Sequence, residues 1–229
     1  MNLIHISDPH IHRNMVDNKA VAVRLAWIKE RYPDDMLIAT GDITDDGHPD
    51  QFKNAMSVPG LKVPGNHDFG AAGNFYSREK AALFDATFGT RFAGDNYPAV
   101  DIIDGVRLIG LDSNLETDHP FDFACGEIGE RQLKALRVVL SGPELPTVIY
   151  MHHHPFVRHD PFMELRDARK FMRTIYGKVD VLLFGHRHVE QTWHDCCGIK
   201  LIHGSGRLAD MHKVLRITIQ DGQVTSRYV

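Results

Sequence analysis

Fifteen of the 229 residues are histidine, and many stand beside carboxylates at short spacings. Asp8 and His10 flank Pro9, and Asp42 follows Gly41. Asn66, His67 and Asp68 follow Gly65. His152, His153 and His154 run into Pro155, and His186 and His188 flank Arg187 behind Gly185. In extended backbone, residues i and i+2 project the same way, so Asp8 with His10, and His186 with His188, can each reach one point in space. The glycines before Asp42, Asn66 and His186 allow sharp departures from a strand. Imidazole with carboxylate and no thiolate nearby suits Mn, Fe, Zn, Co or Ni better than a sulfur-based structural zinc site. Such a set is too large for one ion and fits two that share a carboxylate, with positions left for water and substrate. Two ions ~3.5–4 Å apart clamp an in-line displacement at phosphorus and lower the pKa of bound water to about 7. Two divalent ions, two carboxylates (Asp8, Asp42) and one hydroxide sum to about +1, which complements a singly charged phosphodiester.

The elements that must position these groups are legible around them. Short apolar runs at 3–6, 36–40, 61–63, 148–151 and 179–184 read as strands, each ending just before one of the polar motifs. Ligand sites of open α/β sheets lie outside the carboxyl ends of strands. Segments 20–31, 49–56, 81–88, 128–140 and 165–176 read as helices, with Pro33 closing the first, and 106–111 as a further strand. Beyond 184 the pattern changes to strands alone, at 189–193, 200–203, 214–219 and 223–228, with Asp221-Gly222 as a hairpin turn. Alternating β and α followed by a strand-rich tail predicts an α/β fold whose parallel core is joined by a mostly antiparallel sheet.

Composition narrows the function classes. With 43% hydrophobic and 24% charged residues, the chain is ordinary globular material, and it reads as one domain over 1–229 without repeat or linker. The 26 basic against 30 acidic side chains, a net charge of −4, disfavour extended nucleic-acid binding. No apolar run approaches the ~18 residues of a membrane span, and the first residues carry no secretory pattern. Cys125, Cys196 and Cys197 cannot all pair, and Cys196 and Cys197 read as buried small hydrophobes. Reduced thiols predict a cytoplasmic protein.

As a set, Asp8-x-His10, Gly41-Asp42, Gly65-Asn66-His67-Asp68, a strand-end histidine before proline and Gly185-His186-x-His188 resemble the signature of calcineurin-like metallophosphoesterases. Leu111-Asp112-Ser113 with Gly126-Glu127-Ile128 and Gln132-Leu133, the passage from His153 to Phe162, and Gly204-Ser205 are most similar to the class III cyclic nucleotide phosphodiesterases and bacterial glycerophosphodiesterases of that family. The resemblance implies a four-layer α/β/β/α sandwich with mixed sheets and an antiparallel C-terminal part. It implies a first metal on Asp8, His10 and His188, a second on Asn66, His152 and His186, and Asp42 bridging them. A metal-bridging hydroxide then hydrolyses a small phosphodiester, of cyclic nucleotide or glycerophosphodiester type, while His67 contacts the phosphate or serves the leaving group. The alternatives are a nuclease, a nucleotide pyrophosphatase or a phosphomonoesterase on the same site, or a non-catalytic scaffold, which the complete ligand set disfavours. Asp68 and the Ile43–Gly47 passage depart from protein Ser/Thr phosphatases.

The triple histidine leaves a register choice. Ungapped matching selects His152, and His154 shares its orientation if the strand continues. His5 reads as a core-facing strand residue, and His203 as a candidate donor to a ligand carboxylate. Arg13 and Arg187 are candidate phosphate contacts, against the default of exposed arginines. His12, His48, His119, His159, His194 and His212 read as surface or loop residues. The loops at 114–125 and 156–167 are expected to select substrate. Physiological metals and homo-oligomerisation are left open.

Overall fold

The computed structural model describes residues 1–70, 76–89, 98–117, 119, 122, 124–157 and 160–229. Its elements are β1 (Asn2–Ile6), α1 (Lys19–Arg31), β2 (Met36–Thr40), α2 (Pro49–Ala55), β3 (Leu61–Val63), α3 (Asn66–Phe69) and α4 (Arg78–Phe88). There follow β4 (Ala99–Ile103), β5 (Val106–Gly110), α5 (Glu130–Val139), β6 (Thr147–Tyr150), α6 (Ala168–Ile175) and β7 (Val181–Phe184). The chain ends with β8 (Gln191–Cys196), β9 (Ile199–Gly204), β10 (Leu215–Gln220) and β11 (Gln223–Tyr228).

The strands form two mixed sheets, one ordered β11-β10-β1-β2-β3 and one ordered β4-β5-β6-β7-β9-β8. β1, β2 and β3 run parallel, as do β5, β6, β7 and β9. Alternation along the second sheet shows the layering. Leu108, Val148, Val181, Leu183 and Leu201 join a core shared with the first sheet. Their neighbours Ile109, Ile149, Leu182 and Ile202 pack with Leu133 and Leu136 of α5 and Phe171 and Ile175 of α6. Val21 and Ile28 of α1, Phe52 of α2 and Phe84 of α4 are buried with the first sheet. This is the expected α/β/β/α sandwich. The C-terminal strands divide between the sheets: β10 and β11 extend the first antiparallel, while β8 adds antiparallel to β9 in the second.

Local chemistry accounts for the helix starts. His48 caps α2 by accepting the Asp50 N–H while Gln51 accepts the N–H of His48, and Ser77 caps α4 by accepting the Lys80 N–H. Strand β4 was not expected. It pairs with β5 through Asp104-Gly105, both at positive φ, the same two-residue turn that Asp221-Gly222 makes between β10 and β11. Cys196 is half-buried and Cys197 exposed in the turn before β9, which corrects their reading as buried hydrophobes. Among the described residues, no helix is long and apolar enough to cross a membrane.

Candidate active site

Five strand ends deliver the site. β1 leads into Asp8 and His10, β2 into Asp42, β3 into Asn66 and His67, β6 into His152, and β7 into His186 and His188. Among the described residues nine non-glycines have positive φ, and Asp8, His10, Asp42, His186 and His188 are five of them. Each such conformation costs about 1–3 kcal/mol and persists where surroundings over-determine it. The glycines serve a purpose other than turning alone. Gly41 does have φ +86, but Gly65 is extended at −111 and Gly185 is not at positive φ. A Cβ on Gly65 would collide with Asp42, one on Gly185 with Ser7 and Asp8, and one on Gly41 with the His152 ring. These glycines let backbones approach the ligand side chains.

Two groups of donor atoms meet at Asp42. On one side its Oδ2 lies 3.6 Å from His10 Nε2, which is 3.2 Å from His188 Nε2, and Asp8 Oδ1 lies 3.3 Å from the latter. The donor atoms of Asp8, His10, Asp42 and His188 all fall within 4.8 Å of one another. On the other side Asp42 Oδ1 lies 3.4 Å from His152 Nε2, itself 3.0 Å from Asn66 Oδ1 and 3.1 Å from His186 Nδ1. All seven expected ligand residues thus converge.

The donor set has the chemistry of a cation site. The Thr40 carbonyl accepts the Nδ1 proton of His152 at 2.8 Å, so its Nε2 faces an amide oxygen and a carboxylate oxygen. Buried acceptors such as Asp42 Oδ1 and Asn66 Oδ1, converging on one ring nitrogen, repel unless a proton or a cation joins them. Asp8 Oδ1 and His186 Nε2 are buried without hydrogen-bond partners. Burial, aided by His153, holds His186 well below its usual pKa, leaving it unprotonated as ligation requires. Burial would raise Asp8, but the nearby His188 and the other surrounding imidazoles leave it lowered.

A bracing layer surrounds the ligands. Asp68 accepts N–H groups from Ile43, Thr44 and Gly65 and the Thr44 hydroxyl, tying the loop after β2 to the loop after β3. Burial and the neighbouring Asp42 raise it to about 6. His67 donates its backbone N–H to Asp42 Oδ1 at 2.9 Å and its Nδ1 proton to the Asp45 carbonyl at 2.6 Å. Asp45 itself lies 3.6 Å from His10 and 3.4 Å from His12, and the bond from His10 holds its carboxyl below the usual range. Thr44 and Asp45 carry no sequence signal as site residues, and Ser113 enters only through the Leu111-Asp112-Ser113 resemblance. Ser113 accepts the His153 N–H and bonds its ring, whose face lies 4.5 Å from His186.

Other expectations divide. His154 leaves the site, because β6 ends at Tyr150 and the two-residue periodicity ends with it. Its ring packs on Phe184 and Phe156, and burial pushes it down to about 4. His5 is buried on its strand as expected. His203 does not reach a ligand carboxylate; it bonds His5, Nδ1 to Nδ1, at 2.6 Å. Arg13 and Arg187 are paired with Asp46 and Asp160. The loops at 114–125 and 156–167 meet where Cys125 Sγ bonds the Pro161 carbonyl, and Gly126, just past the first, bonds both Glu164 and Arg166. His159 lies outside the described residues.

Fold and site together define a metallophosphoesterase: two sheets whose strand ends gather an Asp/His/Asn set around one shared carboxylate. The family model for calcineurin-like phosphoesterases matches residues 1–190, and the chain belongs to that family. It is 30% identical over 209 residues to a probable cyclic nucleotide phosphodiesterase of Rhodococcus erythropolis, covering 83% of this chain and 65% of that one. It is 27% identical to a probable glycerophosphodiester phosphodiesterase of Arcobacter nitrofigilis, over 82% of this chain and 72% of the other. The crystal structure of a dimetal phosphatase from Danio rerio aligns over 100% of this chain and 95% of its own, with a TM-score of 0.69 at 17% identity. The chain thus spans about two thirds of the length of the two curated relatives.

Proposed function

We propose that this chain, as one domain, hydrolyses phosphodiester bonds of small molecules of the cyclic nucleotide or glycerophosphodiester kind, using two metal ions. The observation that carries this reading is the Asp42 carboxylate, with one oxygen turned to His10 and the other to His152. Asp8, His10 and His188 would hold the first ion, Asn66, His152 and His186 the second, and Asp42 both. When bound, such a pair supplies a nucleophile at neutral pH and charge stabilisation at phosphorus. The chain's own residues do the rest. Thr40 keeps the Nδ1 proton on His152 and so directs its Nε2 inward. The Asp45 backbone carbonyl accepts the Nδ1 N–H of His67, which fixes the ring with Nε2 free to face the leaving oxygen, where the doubly protonated imidazolium would donate. The −4 charge supports a small substrate over a long polyanion, and a cytoplasmic setting fits the unpaired cysteines.

The test is a panel of 3′,5′-cyclic nucleotides, glycerophosphodiesters, nucleoside diphosphates, phosphomonoesters and single-stranded DNA, compared by kcat/KM with manganese present. The highest values are expected for the first two classes. A preference for monoesters or DNA would overturn the substrate assignment.

A further inference from the structure

The loop at 205–213 follows β9 and lies against the metal side of the first sheet. Leu208 donates its N–H to the carbonyl of Ser7, next to Asp8, at 3.0 Å, and Ser205 donates to Phe184 at 2.9 Å. Arg24 of α1 holds the far end through the carbonyls of Met211 and His212. The loop is therefore fixed in place beside the site.

A cavity of about 370 Å³ opens between this loop and the segment carrying His188. It is lined by His188, Glu190, Arg207, Asp210, His212 and Lys213. Arg207 is half-buried, its Nε is cut off from solvent without a hydrogen-bond partner, and its side chain forms no ion pair among the described residues. Arg13 and Arg187, by contrast, already have carboxylate partners. The two acidic residues of the cavity do not fill this need. Glu190 is exposed and interacts with the Tyr228 hydroxyl, and Asp210 is exposed at the rim. A half-buried guanidinium whose Nε lacks an acceptor fits planar, bidentate recognition of phosphate or carboxylate.

We propose that this cavity is an anion subsite: Arg207, with Lys213 and His212, binds a second anionic group, a phosphate or a carboxylate, carried by the substrate beside its scissile diester. The proposal rests on the phosphodiesterase reading and deepens it by adding a charge requirement.

Two chromogenic diesters separate the possibilities, thymidine 5′-(p-nitrophenyl phosphate) and the same ester phosphorylated on its 3′-oxygen. The manganese-loaded wild type should show a KM about tenfold lower for the 3′-phosphorylated ester. Arg207→Gln should remove that advantage while leaving kcat for both esters, and KM for the plain ester, unchanged. Calorimetric titration with thymidine 3′,5′-bisphosphate and thymidine 5′-monophosphate should show the same discrimination, lost in Arg207→Gln. If the variant weakens both esters equally, Arg207 serves the scissile phosphate and the subsite is refuted. Unaltered discrimination in the variant refutes it also. If the wild type cleaves neither ester, the phosphodiesterase reading fails, and the titration still decides whether Arg207 binds a second anion.

Discussion

Asp68 takes both the backbone N–H and the hydroxyl of Thr44 on one carboxylate oxygen, each at 2.8 Å. Its other oxygen holds Ile43 and Gly65, so one buried side chain locks together the two loops that present Asp42 and Asn66. Asp68→Asn keeps the size but replaces one acceptor oxygen with a donor facing at least one backbone N–H group. Leaving such a bond unmade should cost about 1–3 kcal/mol. A lowered melting temperature and weaker manganese binding are the expected results. A variant with wild-type values in both would show that Asp68 braces nothing.

The close approach at Gly65 predicts a distinct kind of defect. Gly65→Ala puts a methyl group into the Asp42 carboxylate, so it should abolish most activity through displacement of that one side chain. Gly222→Ala, where φ is +73 and nothing lies nearby, should cost only about 1 kcal/mol in stability and leave kcat intact. Equal activity losses in the two variants would contradict the role given to Gly65.

His67 is set apart from the metal ligands by its bonds to Asp45 and Asp42. His67→Ala should retain both ions and lose roughly 10²–10⁴-fold in rate toward esters with poor leaving groups, with a smaller loss for p-nitrophenyl esters. Metal analysis of the purified variant, alongside a leaving-group series, checks this. A loss of bound metal would make His67 a ligand.

Burial sets the acid limit of stability through the His5–His203 pair. His203 is pushed down to about 3, and burial followed by the nearby His203 holds His5 well below its usual value. In the unfolded chain both titrate near 6.5. As pH falls from about 6.5 toward 3, the unfolded chain takes up protons that the folded chain refuses. Stability therefore drops, by up to ~1.4 kcal/mol per pH unit for each histidine. Urea midpoints measured between pH 7.5 and 5 should fall less steeply in His203→Gln than in the wild type. Identical slopes would contradict the assignment.

Much of this architecture is visible in the chain itself, for identifiable reasons. Asp8, His10, Asp42, Asn66, His152, His186 and His188 stand at strand ends, and apolar runs mark those ends clearly. β4 was missed although Asp104-Gly105 is the same turn signal as Asp221-Gly222, because its residues Val100 and Ile102 face solvent and the run looks irregular. His154 misleads because two-residue periodicity holds only to Tyr150, the last residue of β6. Asp45, Thr44 and Ser113 are polar loop residues whose importance depends on contacts across the fold. Arg207 stands out only when its neighbours are known, since an arginine lacking a partner has no sequence pattern.

The shared carboxylate is tested most directly by counting ions. Metal-free protein titrated with Mn²⁺ in a calorimeter, with hydrolysis of bis(p-nitrophenyl) phosphate followed in parallel, should bind two ions per chain. Activity should appear only as the second site fills, and Asp42→Ala should lower the affinity of both sites. Turnover by the metal-free protein, or full activity with Asp42 removed, would contradict the account.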